Sequence, residues 1–484
     1  MKKILLVVVV LLFLVAAAAG IASYQFGAAA EKYYTELLQE AAQPGYATFV
    51  TESYSRGVFS STVRTAVEIR RPGKVGKDAG KAGEPEPLRF SLVSDVRHGP
   101  LPPVKLSDGR WEWMPVLAVI ETRVAPPADG KGGLAELFQK VPELAQSVNS
   151  YVIHLRGEGE GKWTVPAFSR SFPEDVKVRW DGLALNYSLP SSLKGGKAGF
   201  SAPLFEVRGK DGAFSVKGME SNGDFREGAG GLSVGTGMFR MARAEFAAGG
   251  QAGGKNFFIE NFEIDASDKE TGETIDCLFQ MKVEKAGVGN VPYGPAEFEM
   301  ELRKLDTASI LKLQEIARET AGQPASGSDE IFNALTVARY TSILSTMLKK
   351  SPEIEISRFN FTTGEGNFSG KLKVAFDGSA MQSMDNPLLL LAALTAHAEV
   401  TVKDRLLEQI LTTVYLNDLR AEGAGQGEGA LRAEAAEIAR KVLKNLLNEK
   451  LIVRESDCYR LNADFRQGQL NLNGRTVPLQ EFLK

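Results

Sequence analysis

Ser233 stands in Gly231-Leu232-Ser233-Val234-Gly235, the G-x-S-x-G spacing of a hydrolase nucleophile elbow, and His397 is the one histidine downstream that could act as its base. Such an elbow holds its serine between a buried strand and a helix. Here Arg226-Glu227-Gly228-Ala229-Gly230 precedes and Gly235-Thr236-Gly237 follows, which reads as a glycine-rich loop. A serine hydrolase using Ser233 and His397 is therefore the alternative, and a surface turn the main reading. Ser191-Ser192-Leu193-Lys194 has the spacing of another acyl-transfer nucleophile, but no Lys-Thr-Gly companion occurs, and it too reads as a turn.

His98, His154 and His397 lie far apart and none belongs to a closely spaced pair, so a histidine-built metal site has no support. His98 falls in Arg97-His98-Gly99-Pro100, where a turn is expected. Cys277 and Cys458 are too few for a cysteine zinc site. An exported chain could join them in a disulfide, while Cys277, inside Ile275-Asp276-Cys277-Leu278-Phe279, also reads as a small buried hydrophobe. Gly157-Glu158-Gly159-Glu160-Gly161-Lys162 and Gly364-Glu365-Gly366 miss the spacing of a dinucleotide or phosphate loop. The basic cluster Arg70-Arg71, Lys74, Lys77 and Lys81 is diluted by Asp78 and Glu84; it reads as a solvated loop, with contact to anionic head groups as the alternative. The expectation is no catalytic, cofactor-binding or metal-binding residue, and no cofactor.

The elements that carry these residues begin with an uncharged, mostly apolar run from Ile4 to Ala30, directly behind Lys2 and Lys3. Its densest part, to about Ala22, is long enough to cross a bilayer, and the flanking lysines favour an N terminus inside. A cleaved signal peptide is the competing reading, because Ala16 to Ala19 offers small-residue cleavage pairs. Either way the bulk of the chain is expected across the membrane. The remaining sequence is ordinary globular material, 43% hydrophobic and 24% charged. Its formal net charge of −3 provides no broad positive field for nucleic acid.

From Ala47 to about Leu302, alternating segments such as Thr65-Ala66-Val67-Glu68-Ile69 and Phe258 to Ile264 recur between polar turns, as in a mostly antiparallel β architecture. Phe59 is expected inside, with Ser60 outside and Gly57 relieving the backbone at the turn before them. Helices enter after Leu305. Ile310, Leu313 and Ile316 mark the first, capped by Asp306 or Thr307; Val337, Tyr340, Leu344 and Met347 mark the second. Leu407, Ile410, Leu411 and Val414 mark a third, and Leu431, Ala435, Ile438, Val442 and Leu446 a fourth, each stripe expected to face the core. The tail from Tyr459 to Leu483 reads as a β-hairpin with Asn473-Gly474 at its tip. The expected fold is thus α+β: a membrane anchor helix (1–30), a large antiparallel β body (31–302), and a mixed region with amphipathic helices and a terminal β-hairpin (303–484).

Three blocks add a resemblance. Tyr54-Ser55-Arg56-Gly57-Val58-Phe59-Ser60-Ser61, then His98-Gly99-Pro100-Leu101-Pro102, then Leu472-Asn473-Gly474 with Leu479-Gln480-Glu481-Phe482, stand in that order behind an apolar N terminus. In this the chain resembles the YdgA family of bacterial proteins, itself of unknown function. The resemblance implies a single-pass inner-membrane protein facing the periplasm, with self-association as an option, and it supplies no catalytic residues. A lipid or an envelope protein is the expected partner, bound without catalysis; a looser likeness of style joins the chain to AsmA-like, β-rich envelope proteins implicated in lipid handling.

Overall fold

The computed structural model describes residues 2–42, 46–70, 87–105, 110–127, 133–249, 256–289, 291–321, 330–380, 387–421 and 427–477. It opens with α1 (Lys2–Ala41), a single helix that runs on past residue 30, where the anchor helix was expected to end. Small side chains at Gly27, Ala28, Ala29 and Ala30 join the apolar run to the helix beyond it and let this stretch lie close on the sheet. Among the described residues no helix is long and apolar enough to cross a membrane. The first part of the apolar run, residues 2–16, has side chains outside those described.

The chain forms two compact units: Met1–Gly209 with Lys217–Glu227 and Glu315–Ser326, and Lys210–Val216 with Gly228–Gln314 and Gly327–Lys484. The first contains β1 (Ala47–Arg56), β2 (Ser60–Ile69), β3 (Leu88–His98), the short hairpin β4 (Pro103–Lys105) and β5 (Trp111–Trp113), and β6 (Val116–Ala125). After α2 (Gly133–Lys140) come β7 (Val148–His154), β8 (Gly159–Val165), β9 (Phe168–Phe172), β10 (Val176–Trp180), β11 (Leu183–Leu189) and β12 (Gly195–Gly209). These pair antiparallel in the order β1-β2-β3-β6-β7-β8-β11-β12-β10-β9. The C-terminal half of α1 covers one face: Ala30, Tyr33 and Tyr34 are buried with Val63, Val96, Ala118, Ile120, Tyr151 and Ile153.

The strand β13 (Gly212–Glu227) has residues in both units. The second unit then carries β14 (Ser233–Ala248), β15 (Phe257–Thr271), β16 (Thr274–Val288), β17 (Val291–Tyr293), β18 (Ala296–Asp306), and the helices α3 (Thr307–Ala321, in part) and α4 (Glu330–Leu348). There follow β19 (Glu353–Thr363), β20 (Gly366–Phe376), α5 (Pro387–Ala393), β21 (Leu394–Lys403), α6 (Asp404–Ala421), α7 (Glu428–Asn448), β22 (Val453–Glu455), β23 (Cys458–Arg466), β24 (Gln469–Leu472) and β25 (Arg475–Val477). Its antiparallel order is β14-β15-β16-β18-β19-β20-β21-β23-β24-β25. The change of style read near residue 302 does not interrupt this sheet, since β18 and β19 are neighbours across it.

Local chemistry sets the ends of these elements. Asp306 closes β18 and caps α3, its carboxylate accepting from the Ser309 backbone N–H at 2.8 Å and hydroxyl at 2.6 Å. Asn473 and Gly474 take φ of 49° and 86° between β24 and β25, as the tight hairpin turn requires.

Candidate functional site

In the first unit, the β2–β3 pairing sets Ser61 beside the end of β3, where His98 sits; the two are 3% and 4% exposed. Val58 carbonyl oxygen lies 3.1 Å from His98 Nδ1, and because a carbonyl only accepts, Nδ1 carries the proton. Nε2 of the neutral ring then accepts from the Ser61 hydroxyl at 2.7 Å. Burial, with Arg56 adding repulsion, lowers the His98 pKa, which keeps the ring neutral. A Cβ on Gly27 of α1 would come 2.5 Å from His98 Cε1, so the helix rests directly on the ring. The pair joins two of the three family-like blocks, yet it is sealed under α1; its evident work is to seat that helix. Phe59, expected inside, is 64% exposed, and Ser61 takes the buried place. Gly57 has an ordinary φ; what it meets is the Ser60 carbonyl oxygen, 2.9 Å from where a Cβ would stand.

A tyrosine seam continues under α1. Tyr33 and Tyr151 hydroxyls meet at 2.6 Å, Tyr34 reaches Thr65 at 3.0 Å, and Tyr187 donates to Asn149 at 3.0 Å. Burial raises the pKa of Tyr33, Tyr151 and Tyr187. These contacts join residues far apart in sequence, so no local motif could have shown them.

Ser233 does not occupy an elbow. It opens β14 after a turn, and strand rather than helix follows. The turn is clamped by Glu270, whose carboxylate accepts from the Ala229 and Gly230 N–H groups at 2.9 and 3.0 Å. His397, half exposed on β21, holds Asp464 at 2.7 Å and Glu399 at 3.3 Å, and those carboxylates raise its pKa. Lys194 Nζ binds Glu227 at 2.9 Å in the turn that carries Ser191. Cys277 and Cys458 are free thiols, with β18 to β21 between their strands; burial, aided by Asp268, pushes the Cys277 thiol up to about 12. Arg70 pairs with Glu68 at 3.2 Å, while the rest of its basic cluster lies outside the described residues. Among the described residues no group of three His, Cys, Asp or Glu is placed to hold a metal ion.

What remains is a surface rather than a cluster. Directly opposed residues in a sheet share a face. In the second unit the partners Phe239↔Ile264, Ile264↔Met281, Met281↔Phe298, Phe298↔Phe359, Phe361↔Phe368, Phe368↔Val402 and Val402↔Tyr459 draw one apolar face from β14 to β23. Ring contacts link Phe279, Phe298, Phe359 and Phe368 across four strands at 5.2–6.2 Å. At a spacing of about 4.8 Å per strand, the strip is on the order of 30 Å across.

Among the described residues, helices pack on it mainly at the strand ends, and α4 also approaches β18. Ile310 and Leu311 of α3 pack on Leu232, Val234, Ile275 and Leu305. At the other strand ends Leu406 and Leu411 of α6 and Leu443 of α7 pack on Phe361, Phe368, Val402 and Tyr459. Between them Phe359 is 43% and Ile354 41% exposed, and Phe262, Phe279, Met281, Phe298 and Met300 are half-buried. Helix stripes expected to face the core are also partly bare: Tyr340 and Leu344 on α4, and Ile410 and Val414 on α6. In α4 Ile343 is buried instead, and in α7 the expected Leu431 and Ala435 are buried, the line then passing through Ala439 and Leu443 instead of Ile438 and Val442.

The opposite face is ionic. Arg303 binds Glu355 at 2.7 Å and Glu301 at 2.5 Å, Lys304 binds Glu353 at 2.6 Å, and Glu299 accepts from Ser357 and Gln280. Hydrogen bonds from these donors lower the carboxyl pKa of Glu299, Glu353 and Glu355. The polar residues alternate with the apolar ones along each strand, so the apolar strip is a built face of the sheet.

No curated protein and no solved structure matches the chain. A family model does, over residues 1–480, which reaches into the third sequence block as far as Gln480; Leu479 to Phe482 lie outside the described residues. With nearly the whole length matched, the chain belongs to a bacterial protein family of unknown function, DUF945.

Proposed function

We propose that this protein is a membrane-anchored, non-enzymatic binding protein of the bacterial envelope, and that the bare apolar strip of its second unit holds acyl chains of a lipid. The half-exposed face spanning β15 to β20, left open between α3 and the α6–α7 pair, carries the reading. Large contiguous apolar patches on a protein surface mark sites of interaction. A lipid is favoured over a protein partner because the centre of the strip offers paired Phe, Met, Ile and Ala, with the Asp268 carboxyl standing opposite Cys277 at its α3 end, whereas protein interfaces carry about one hydrogen bond per 100–200 Å². Its bare part, five strands from β15 to β20, is about 20 Å across. The apolar run Ile4 to Ala22 behind Lys2 and Lys3 supports a retained anchor, N terminus inside, and the finer likeness to the YdgA family agrees with a periplasmic body.

The test is native mass spectrometry of the full-length protein released from mild detergent. Phospholipid should remain bound to the wild type and be lost from Phe359→Glu, which puts a charge in the strip. Absence of bound lipid from the wild type, or equal retention in the variant, would refute the proposal.

A further inference from the structure

We propose that three chain segments at one end of the first unit's sheet, two beside α1 and one on the opposite face, form a collar that seats in the surface of a phospholipid bilayer; this rests on the anchor reading above. The contacts of β1 climb along α1 toward its N terminus. Tyr54 stacks edge-on against Tyr34 with ring centres 6.5 Å apart, Arg56 lies 4.7 Å over the Tyr24 ring, and Val58 Cγ1 is 3.8 Å from the place of a Cβ on Gly20. The β1–β2 turn thus arrives level with residue 20, with Val58 and Phe59 exposed at its tip. A second segment arrives beside it: His98 rests on Gly27, Gly99 lies against the Phe26 side chain, and the chain continues to exposed Leu101. The third is the β4–β5 hairpin, which packs through Val104 on Val119 and Val152 on the other face of the sheet, with Trp111 5.1 Å beneath the Arg97 guanidinium and Trp113 70% exposed.

The first two tips flank the helix near the end of its apolar run, and the third stands at the same end of the sheet on its other face. The first charged residue of α1 beyond that run is Glu31, which binds Arg56 at 2.8 Å. Trp, Tyr and Arg at such a boundary are the composition of a membrane–water interface, with ring bodies in the head-group layer and charged tips in water. The occupant follows from continuity: the segment N-terminal to the collar on the same helix is the one whose length and apolarity fit the bilayer core.

The experiment uses the full-length protein in phosphatidylcholine–phosphatidylglycerol vesicles, with Trp163 and Trp180, the other two of four tryptophans, changed to Phe. Lipids brominated near the head group should quench the emission of Trp111 and Trp113, while lipids brominated deep in the chain should quench it less. If that background fails to fold, the wild-type chain should show partial quenching that Trp111→Phe with Trp113→Phe removes. Vesicle-bound protein whose tryptophans are unquenched and open to aqueous acrylamide would overturn the collar and leave the anchor standing. Tryptophans shielded from acrylamide without lipid quenching would assign the patch to a second copy of the chain and overturn it as well. Protein that fails to stay with vesicles after an alkaline wash would overturn collar and anchor together.

Discussion

The Tyr33–Tyr151 hydroxyl pair and the Ser61–His98 pair both place polar groups where water is excluded, so each depends on its partner. Tyr151→Phe should destabilise the protein by about 1–2 kcal/mol, because it strands the Tyr33 hydroxyl. Adding Tyr33→Phe should recover part of that loss, and denaturant unfolding of the two single variants and the double variant checks it. His98 gives a pH signature. Its folded pKa lies below the ordinary 6.5, so the unfolded chain takes up the proton first as pH falls. Its stabilising contribution is complete above about pH 6.5 and drains away as pH drops through the folded pKa. Melting temperatures from pH 7.5 to 5 should fall in the wild type and fall less in His98→Asn. Neither pair was legible in the sequence, where His98 read only as part of a turn: Ser61 and His98 meet through the β2–β3 register, and Tyr33 and Tyr151 are brought together only by the packing of α1 on the sheet.

Among the elements, α1 shows how a glycine records a close approach. Gly27→Ala forces a methyl group onto a histidine ring held from both nitrogens, and should cost about 1–3 kcal/mol, as overpacking does. Gly20→Ala meets only Val58 Cγ1 at ordinary contact distance; it should be neutral, or stabilise by up to about 1 kcal/mol through helix propensity. Thermal unfolding of the two variants side by side checks this contrast. Elements with local chemical signals were legible: the Asp306 cap of α3 and the Asn473-Gly474 turn stand where the sequence puts them. Which stripe of a helix is buried was legible only in part: in α7 the expected Leu431 and Ala435 are buried, but the line runs on through Ala439 and Leu443 rather than through the equally apolar Ile438 and Val442. Packing on α6, and of Leu443 on Val402 and Tyr459, chooses between them. Phe59 misled for a related reason: alternation gives a strand two faces, but at a turn exposed beyond the sheet neither face is inside.

For the whole molecule, the β-rich antiparallel body was readable from alternation. Whether the alternating apolar residues close on one another or stay open was not, since both arrangements write the same pattern. The uncovered strip of the second unit is therefore what the fold adds, and lipid binding there is the central claim. Neighbouring residues of β18 offer its sharpest control: Phe298 stands on the strip, Glu299 on the ionic face. A photo-crosslinking amino acid, p-benzoylphenylalanine, placed at residue 298 or at residue 299 of the full-length protein in intact cells, reports what touches each face. Irradiation should give phospholipid adducts at residue 298 and none at residue 299, read by mass spectrometry of the purified chain. No lipid adduct at residue 298, or equal adducts at both positions, would contradict the account.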